Sequence, residues 1–137
     1  MFRFLEHPSE EYVEVQANTM EEVFQEAGIA LFEIMTDTSK IGKDLSFPVE
    51  LEAQQRDFLL IDWLNRLILL HEVENVFLAQ FHVKFETAGP WKLSATVHGE
   101  KISQEHERRA AAKSATFGQL EWNQTEQGHR VRFVVYI

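Results

Sequence analysis

The sequence predicts an α+β fold in which two main helices pack on a sheet of about six strands. Two segments repeat apolar residues every three or four positions, as an amphipathic helix does, and several shorter segments alternate apolar and polar residues, as a half-buried strand does. The 137 residues supply one hydrophobic core and are too few for two. We therefore expect a single domain over residues 1–137.

The first helix is predicted after residue 19. Thr19 and Glu22 have the spacing of a capping box, and apolar residues follow at helical intervals at Met20, Val23, Phe24, Ala27, Leu31, Ile34 and Met35. The second helix is predicted from about Arg56 to His71, with a buried stripe formed by Leu60, Trp63, Leu64, Leu67 and Ile68. Asp62 and Asn65 read as its polar side. Because each helix has one apolar face, both are expected to lie on the sheet.

Short strands are predicted over 2–5, 12–17, 47–51, 120–122 and 131–137. In the second of them, Val13 and Val15 point inward while Glu14 and Gln16 point outward. Pro48 indicates that the third lies at an edge, since proline has no N–H to donate to a neighbour. The segment 105–115 is rich in alanine and lacks an apolar stripe, so its conformation is left open.

A hairpin is predicted from residue 79 to 97, with its turn near Gly89. All of the inward-facing residues of this hairpin have odd numbers. Residues that lie opposite each other on the two strands share a face of the sheet, so the numbers of two opposed residues must add to an even value. For a short turn this sum is near 176 or 178. His82 and His98 would face each other only at a sum of 180. We therefore expect two solvated histidines rather than a metal pair.

Charge and motif content exclude several functions. The formal net charge is -9, and residues 1–52 hold 12 of the 22 acids and 3 of the 13 bases. Such a surface repels a phosphate backbone, so a basic protein surface or a cation is the more natural partner and direct nucleic-acid binding is not expected. The chain has no cysteine and none of the common phosphate-loop, dinucleotide, nucleophile-elbow or zinc-protease motifs. These absences predict a protein that is not an enzyme.

The apolar segments are too short to span a membrane, and the first residues lack the apolar core of a signal peptide, so a soluble, cytoplasmic protein is expected. The segment with His7 and the acidic pair Glu10 and Glu11 is more typical of a solvent-exposed loop than of a binding site. A basic cluster, formed by Arg108, Arg109 and Lys113, is likewise more typical of a solvent-exposed surface, and neighbouring acidic residues offset its positive charge.

Short motifs that occur in order along the chain resemble the archease family. Each is weak alone, and together they extend from residue 2 to the C-terminal end: Phe4-Leu5-Glu6-His7, Thr19-Met20-Glu21-Glu22-Val23-Phe24, Leu31-Phe32-Glu33-Ile34-Met35-Thr36-Asp37, Asp62-Trp63-Leu64-Asn65, Val97-His98-Gly99-Glu100 and Lys113-Ser114-Ala115-Thr116-Phe117.

The resemblance implies a strand-helix-strand-strand core with an inserted helix and hairpin. It also implies a chaperone-like accessory protein of an RtcB-type, GTP-dependent RNA ligase, the enzyme that joins RNA ends in tRNA splicing and RNA repair. Such an activator promotes guanylylation and turnover of the ligase and does not itself seal RNA. The expected partner is therefore an RNA ligase.

The resemblance further implies a divalent-cation site, built in the family from an Asp after the Glu-His motif and an Asp at the penultimate position. Here these positions hold Glu10 and Tyr136, and Gly118 stands where the family usually has a His. We expect a weak site for Ca²⁺ or Mg²⁺/Mn²⁺ with Glu10 and the carboxylate of Ile137 as ligands. The residues expected beside this site or at the partner contact are Glu6, His7, Glu11, Lys113 and Tyr136.

Two alternatives remain open. The chain is either an activator or a binding module that kept the fold and lost metal-dependent activation. A metal-assisted hydrolase is the third hypothesis and is disfavoured, because only His7 with Glu10 offers a candidate base beside a metal. All site predictions require Glu10 and Glu11 to lie beside the last residue of the chain.

Overall fold

A computed structural model describes residues 1–5, 10–86 and 90–137. The elements in order are β1 (Phe2–Leu5), β2 (Glu11–Ala17), α1 (Met20–Met35), a 3₁₀ turn (Thr38–Lys40), β3 (Leu45–Ala53), α2 (Arg56–Glu74), β4 (Val76–Glu86), β5 (Trp91–Lys101), β6 (Ser114–Thr125) and β7 (Gly128–Tyr136). The α+β class and both main helices are confirmed. None of the described helices is both long and apolar enough to cross a lipid bilayer.

The strands, expected in one sheet of about six, form two antiparallel sheets. One sheet has the order β1-β2-β7-β6 and the other the order β3-β5-β4. Alternation of apolar and polar residues tells which face of a strand is buried, but it does not tell which strands are neighbours. Pro48 lies on β3, an edge strand, as its missing N–H predicted.

The two helices join the sheets through a shared core. α1 contacts β2 of one sheet and β4 of the other, and α2 likewise contacts β6 and β3. The buried residues of both helices and both sheets form one contiguous cluster. Within it, the Trp63 indole N–H donates to the Phe24 carbonyl at 2.9 Å and ties α2 to α1. α1 begins as predicted, with the Thr19 hydroxyl accepting the Glu22 N–H at 3.2 Å.

The β4–β5 hairpin has the register that the parity argument predicted. Phe81 lies opposite Val97 and Val83 opposite Ala95, a sum of 178; the turn residues 87–89 lie outside the described residues. The register shifts between Leu78 and Gln80, so Ala79 is half-buried at a bulge rather than a regular inward residue.

His82 and His98 are not opposite each other, as predicted. Thr96 lies opposite His82 and Gln80 lies opposite His98. The two rings are nevertheless diagonal neighbours, with centroids 5.3 Å apart. The parity rule concerns only residues directly opposite each other on the two strands. It does not predict this contact, because aromatic side chains also reach their diagonal neighbours.

Of the segment 105–115, whose conformation the sequence left open, residues 114 and 115 begin β6, and the connection 102–113 before them is neither helix nor strand. We call it the 102–113 strap, because it crosses the C-terminal end of α1 between β5 and β6. The Arg109 backbone N–H donates to the Met35 carbonyl at 2.9 Å, and its guanidinium donates to the carbonyl and the carboxylate of Glu33 at 2.8 and 2.7 Å. Arg109 therefore joins the strap to the end of α1, while its side chain and those of Arg108 and Lys113 stay exposed as predicted, and Arg109 also pairs with the neighbouring acid Glu107. A cation at the carbonyl end of a helix is also favoured by the helix dipole.

Candidate functional site

The second and the last strands, β2 and β7, flank the predicted site and are neighbours. β2 begins at Glu11, which lies opposite Val135, and Glu10 immediately precedes it. Tyr136 and Ile137 follow Val135 and are 37% and 39% exposed. The juxtaposition that the site predictions required is therefore present: Glu10 and Glu11 lie at the same end of the β2/β7 pair as the last two residues.

Lys113 joins the same location from the strap. Its backbone N–H donates to the Tyr136 carbonyl at 2.7 Å, and the next residue, Ser114, lies opposite Tyr136 in the β6/β7 pair. We call the group that meets here the terminal cluster; its members are Glu10, Glu11, Lys113, Tyr136 and Ile137. Two further predicted residues, Glu6 and His7, lie outside the described residues.

Asn65 of α2 fixes the beginning of β6 and thereby the position of Lys113. Its side-chain amide donates to the Ala115 carbonyl at 3.0 Å, and its oxygen accepts the Ala115 N–H at 2.9 Å. An amide side chain offers one donor and one acceptor group, so it pairs with both backbone groups of Ala115 much as another strand would. From the sequence, Asn65 was expected only on the polar side of its helix. The available signal was its position next to the buried residues Trp63 and Leu64.

A buried carboxylate stabilises the same sheet. Glu14 lies on the face away from the helices, as predicted, yet it is only 1% exposed. Its carboxylate accepts from Arg3 Nε at 2.8 Å, Arg132 Nε at 2.7 Å and Gln16 Nε2 at 3.1 Å. These hydrogen bonds, that of Arg3 being the strongest influence, lower the pKa of Glu14 to about 2 against the opposing effect of burial. Glu14 is thus held as an anion, and sequence reasoning missed it because both arginines lie on other strands.

The terminal cluster does not present a complete cation cage among the described residues. Hard cations take six or more oxygen ligands, commonly with more than one carboxylate. Tyr136 contributes a neutral phenol where a carboxylate was needed, and alternation along β2 places Glu11 on the same face as Val13. Across residues 1–5, 10–86 and 90–137, no three His, Cys, Asp or Glu side chains are grouped to hold a metal ion. Metal binding by Glu10 and Ile137 stays a prediction.

Two helices packed on two antiparallel sheets, with β2 paired to the last strand, define a fold class found in known proteins. The solution structure of Methanobacterium thermoautotrophicum protein 1598 superposes with a TM-score of 0.88 at 32% identity, covering 99% of this chain and 98% of that one. A crystal structure of an archease from Thermotoga maritima, described as a possible chaperone, has a TM-score of 0.67 at 17% identity, covering 98% and 99%. The latter likeness concerns the fold alone.

The sequence comparisons give the family. The model of the Archease protein family (MTH1598/TM1083) matches residues 2–137. The protein archease of Methanosarcina acetivorans is 32% identical, over 99% of this chain and 95% of its own length. That of Methanothermobacter thermautotrophicus is 40% identical over 103 residues, which is 74% of each chain. The chain belongs to the archease family.

Proposed function

We propose that this protein is a chaperone-like accessory activator of an RtcB-type, GTP-dependent RNA ligase, which promotes guanylylation and turnover of the ligase in tRNA splicing or RNA repair. The observation that carries the proposal is membership of the archease family over residues 2–137. The protein acts on the ligase and does not itself join RNA.

The surface of the chain supports a protein partner rather than RNA. With a net charge of -9, the chain lacks the excess of cations that displaces counterions from a phosphate backbone. The terminal cluster combines charged Glu10, Glu11 and Lys113 with the exposed side chains of Tyr136 and Ile137. An exposed tyrosine with an apolar neighbour and a charged rim is the composition of protein interfaces. We place the ligase contact at this cluster.

A guanylylation assay tests the proposal. The organism's own ligase is incubated with GTP and RNA ends, and the ligase–guanylate adduct and the number of turnovers are measured with and without stoichiometric accessory protein. We expect the wild type to increase both, and Lys113→Gln and Tyr136→Ala to reduce the effect. Lys84→Gln, an exposed lysine on β4 of the other sheet, is the matched control and should act like the wild type. An unchanged rate with the wild type refutes activation.

A second candidate is a binding module of the same fold without metal-dependent activation. It is favoured by Tyr136 at the position where the family resemblance requires Asp, and by the incomplete ligand set of the terminal cluster among the described residues. Under this alternative the protein binds a partner whether or not a chelator is present.

Calorimetry with Ca²⁺ and with Mn²⁺ separates the two candidates. The metal-dependent activator predicts binding to the wild type that Glu10→Ala abolishes, through Glu10 and Ile137 as ligands. The diverged module predicts no binding to the wild type and new binding to Tyr136→Asp, since the second carboxylate completes the ligand set. Repeating the guanylylation assay with a chelator then shows whether the metal contributes to activation.

A further inference from the structure

The side of α2 that points away from the core carries several large apolar side chains. Phe58, Leu69 and Val73 are 43%, 51% and 69% exposed. At 3.6 residues per turn they lie within about 60° of one another around the helix axis, and they extend over about 22 Å of its length. Asp62 and Arg66 lie between them along the helix and are also exposed. We call these five residues the outer stripe of α2.

One end of the outer stripe is fixed by an aromatic contact. The rings of Phe58 and of Phe117 on β6 meet edge to face, with their centroids 4.8 Å apart. Phe117 is itself 45% exposed, so the pair extends the apolar surface beyond the helix. An aromatic side chain that is already held in place loses little conformational entropy when it is covered, which suits it to anchor an interface. Contiguous apolar surface of this kind is typical of a contact surface.

The two charged residues of the outer stripe have no partner within the described part of the chain. Asp62 and Arg66 are one helical turn apart, yet neither makes an ion pair or a side-chain hydrogen bond with the other or with another described residue. In contrast, Asp57 at the start of the same helix pairs with Arg56 at 3.6 Å. An exposed ion pair within one helix contributes little stability. Both charges are therefore available to a partner of complementary charge.

The outer stripe is complementary to a second copy of itself when the two helices run antiparallel. About a two-fold axis, each contact between two residue numbers occurs twice, and opposed numbers have a constant sum. Asp62 meets Arg66 of the second copy at a sum of 128. The same register places Phe58 at position 70 of the other helix, beside Leu69 and close to Val73. A parallel pair would instead oppose like charges, which is unfavourable.

The charge of the whole chain does not prevent this contact. The formal net charge is -9, but the outer stripe itself carries one acid and one base and is neutral. At about 0.15 M salt the Debye length is about 8 Å, so acids elsewhere on the two copies repel each other only weakly. Packed helices lie about 8–10 Å apart, which brings the exposed apolar side chains and both charges within reach of the facing helix.

We propose that the outer stripe of α2 binds the outer stripe of a second copy of this chain, forming an antiparallel dimer. Two Asp62–Arg66 ion pairs set its register, and contacts of Phe58 with Leu69 and Val73 supply the apolar part. A single helix pair is at the small end of specific interfaces, so the dimer forms in a concentration-dependent manner. No residue of the terminal cluster belongs to the stripe, and the dimer does not depend on the proposed ligase activation.

Sedimentation velocity of the whole chain at physiological salt tests the dimer by charge reversal. We expect the wild type to pass from monomer to dimer as its concentration rises. Asp62→Arg alone and Arg66→Asp alone each replace opposite charges by like charges, and each should weaken self-association by about tenfold or more. Both changes in one chain should restore it. An equal mixture of the two single variants should form a mixed dimer, because every contact then joins an arginine to an aspartate.

Controls for net charge are Glu50→Arg and Lys84→Asp, which make the same two changes in charge at exposed positions of the three-stranded sheet. Both should associate like the wild type. Equal weakening by these controls, or no recovery in the double variant and in the mixture, overturns the proposal. A wild type that stays monomeric at every concentration also overturns it and would point to a different protein as the occupant of the stripe.

Pulsed electron paramagnetic resonance measures the orientation of the two helices. The chain has no cysteine, so Glu72→Cys provides a single site for a spin label at the exposed C-terminal part of α2. The antiparallel register separates the two labelled positions by roughly 25 Å. A parallel pair would bring them within about 15 Å of each other. The shorter distance, or no measurable coupling at concentrations where the wild type is dimeric, contradicts the proposed arrangement.

Discussion

The faces that the two sheets turn away from the helices carry the same kinds of residues but differ in burial. On the four-stranded sheet, Glu14 is 1% exposed and accepts hydrogen bonds from Arg3 and Arg132. On the three-stranded sheet, Glu50 and Lys84 are exposed on either side of Ser94. Glu14 lies on β2, which has a neighbour on each side, whereas Glu50 lies on the edge strand β3. A central position lets two long cationic side chains cover one carboxylate, and an edge position does not.

The difference bears on function because β2 carries the terminal cluster at its Glu11 end. The Glu14 hydrogen bonds join β2 to β1 and to β7 three residues further along the strand. This ion-pair network therefore ties together the strands that position the cluster.

The substitution Glu14→Gln is expected to have the largest effect on stability, because it removes the buried carboxylate of the four-stranded sheet. We expect a loss of about 3 kcal/mol in the free energy of unfolding, because a carboxylate whose pKa falls from 4.5 to about 2 gains that much from its surroundings. Urea unfolding at neutral pH measures it. Glu121→Gln, an exposed glutamate opposite the same Arg132, is the control. A loss under 1 kcal/mol for Glu14→Gln would contradict the assignment.

The same carboxylate predicts a dependence of stability on pH. Because the pKa of Glu14 is lower in the folded than in the unfolded chain, its contribution is fully present above about 4.5 and is lost as the pH falls toward about 2. The pKa values of Glu33 and Glu100 are also lowered and act in the same direction. The gap in stability between wild type and Glu14→Gln should therefore narrow from pH 6 to pH 2.5. A gap that stays constant over that range would rule out this origin.

A smaller effect is expected for Asn65→Ala, which tests the scaffold of the terminal cluster. The change leaves the N–H and carbonyl of buried Ala115 without their side-chain partner, at a cost of about 2 kcal/mol. Hydrogen exchange should accelerate at Lys113 and Ala115 in particular. Asp62→Ala, an exposed position on the same helix, should leave both stability and exchange unchanged. Equal protection of Ala115 in the two variants would show that Asn65 is dispensable there.

The smallest effect is predicted for Glu50→Gln, the counterpart of Glu14→Gln on the other sheet. An exposed carboxylate at a sheet edge contributes little, so the free energy of unfolding should change by less than about 0.5 kcal/mol. Urea unfolding of the two Glu→Gln variants under identical conditions gives the comparison directly. Similar losses for both would mean that burial on β2 is not what distinguishes the two faces.

The local pattern of apolar and polar residues predicted most individual helices and strands correctly. The Thr19 cap, both helices, the edge position of Pro48 and the hairpin sum of 178 follow from spacing and alternation, which act between residues close in the chain. The motifs also placed the chain in the archease family. The 102–113 strap escaped prediction because its conformation comes from Arg109 and Glu33, which lie 76 residues apart.

The sequence by itself determined which residues face the core, since the periods of helix and strand are properties of the backbone. Only the tertiary structure decided the division into two sheets, the burial of Glu14 and the placement of Glu10 and Tyr136 at one end of the β2/β7 pair, because each depends on which distant strands become neighbours. The last strand illustrates both: its core-facing residues could be read from the alternation over 131–137, but its start at Gly128 and its pairing with β2 come only with the fold. Pairing across more than a hundred residues is set by packing and hydrogen bonding of the whole fold, not by local spacing.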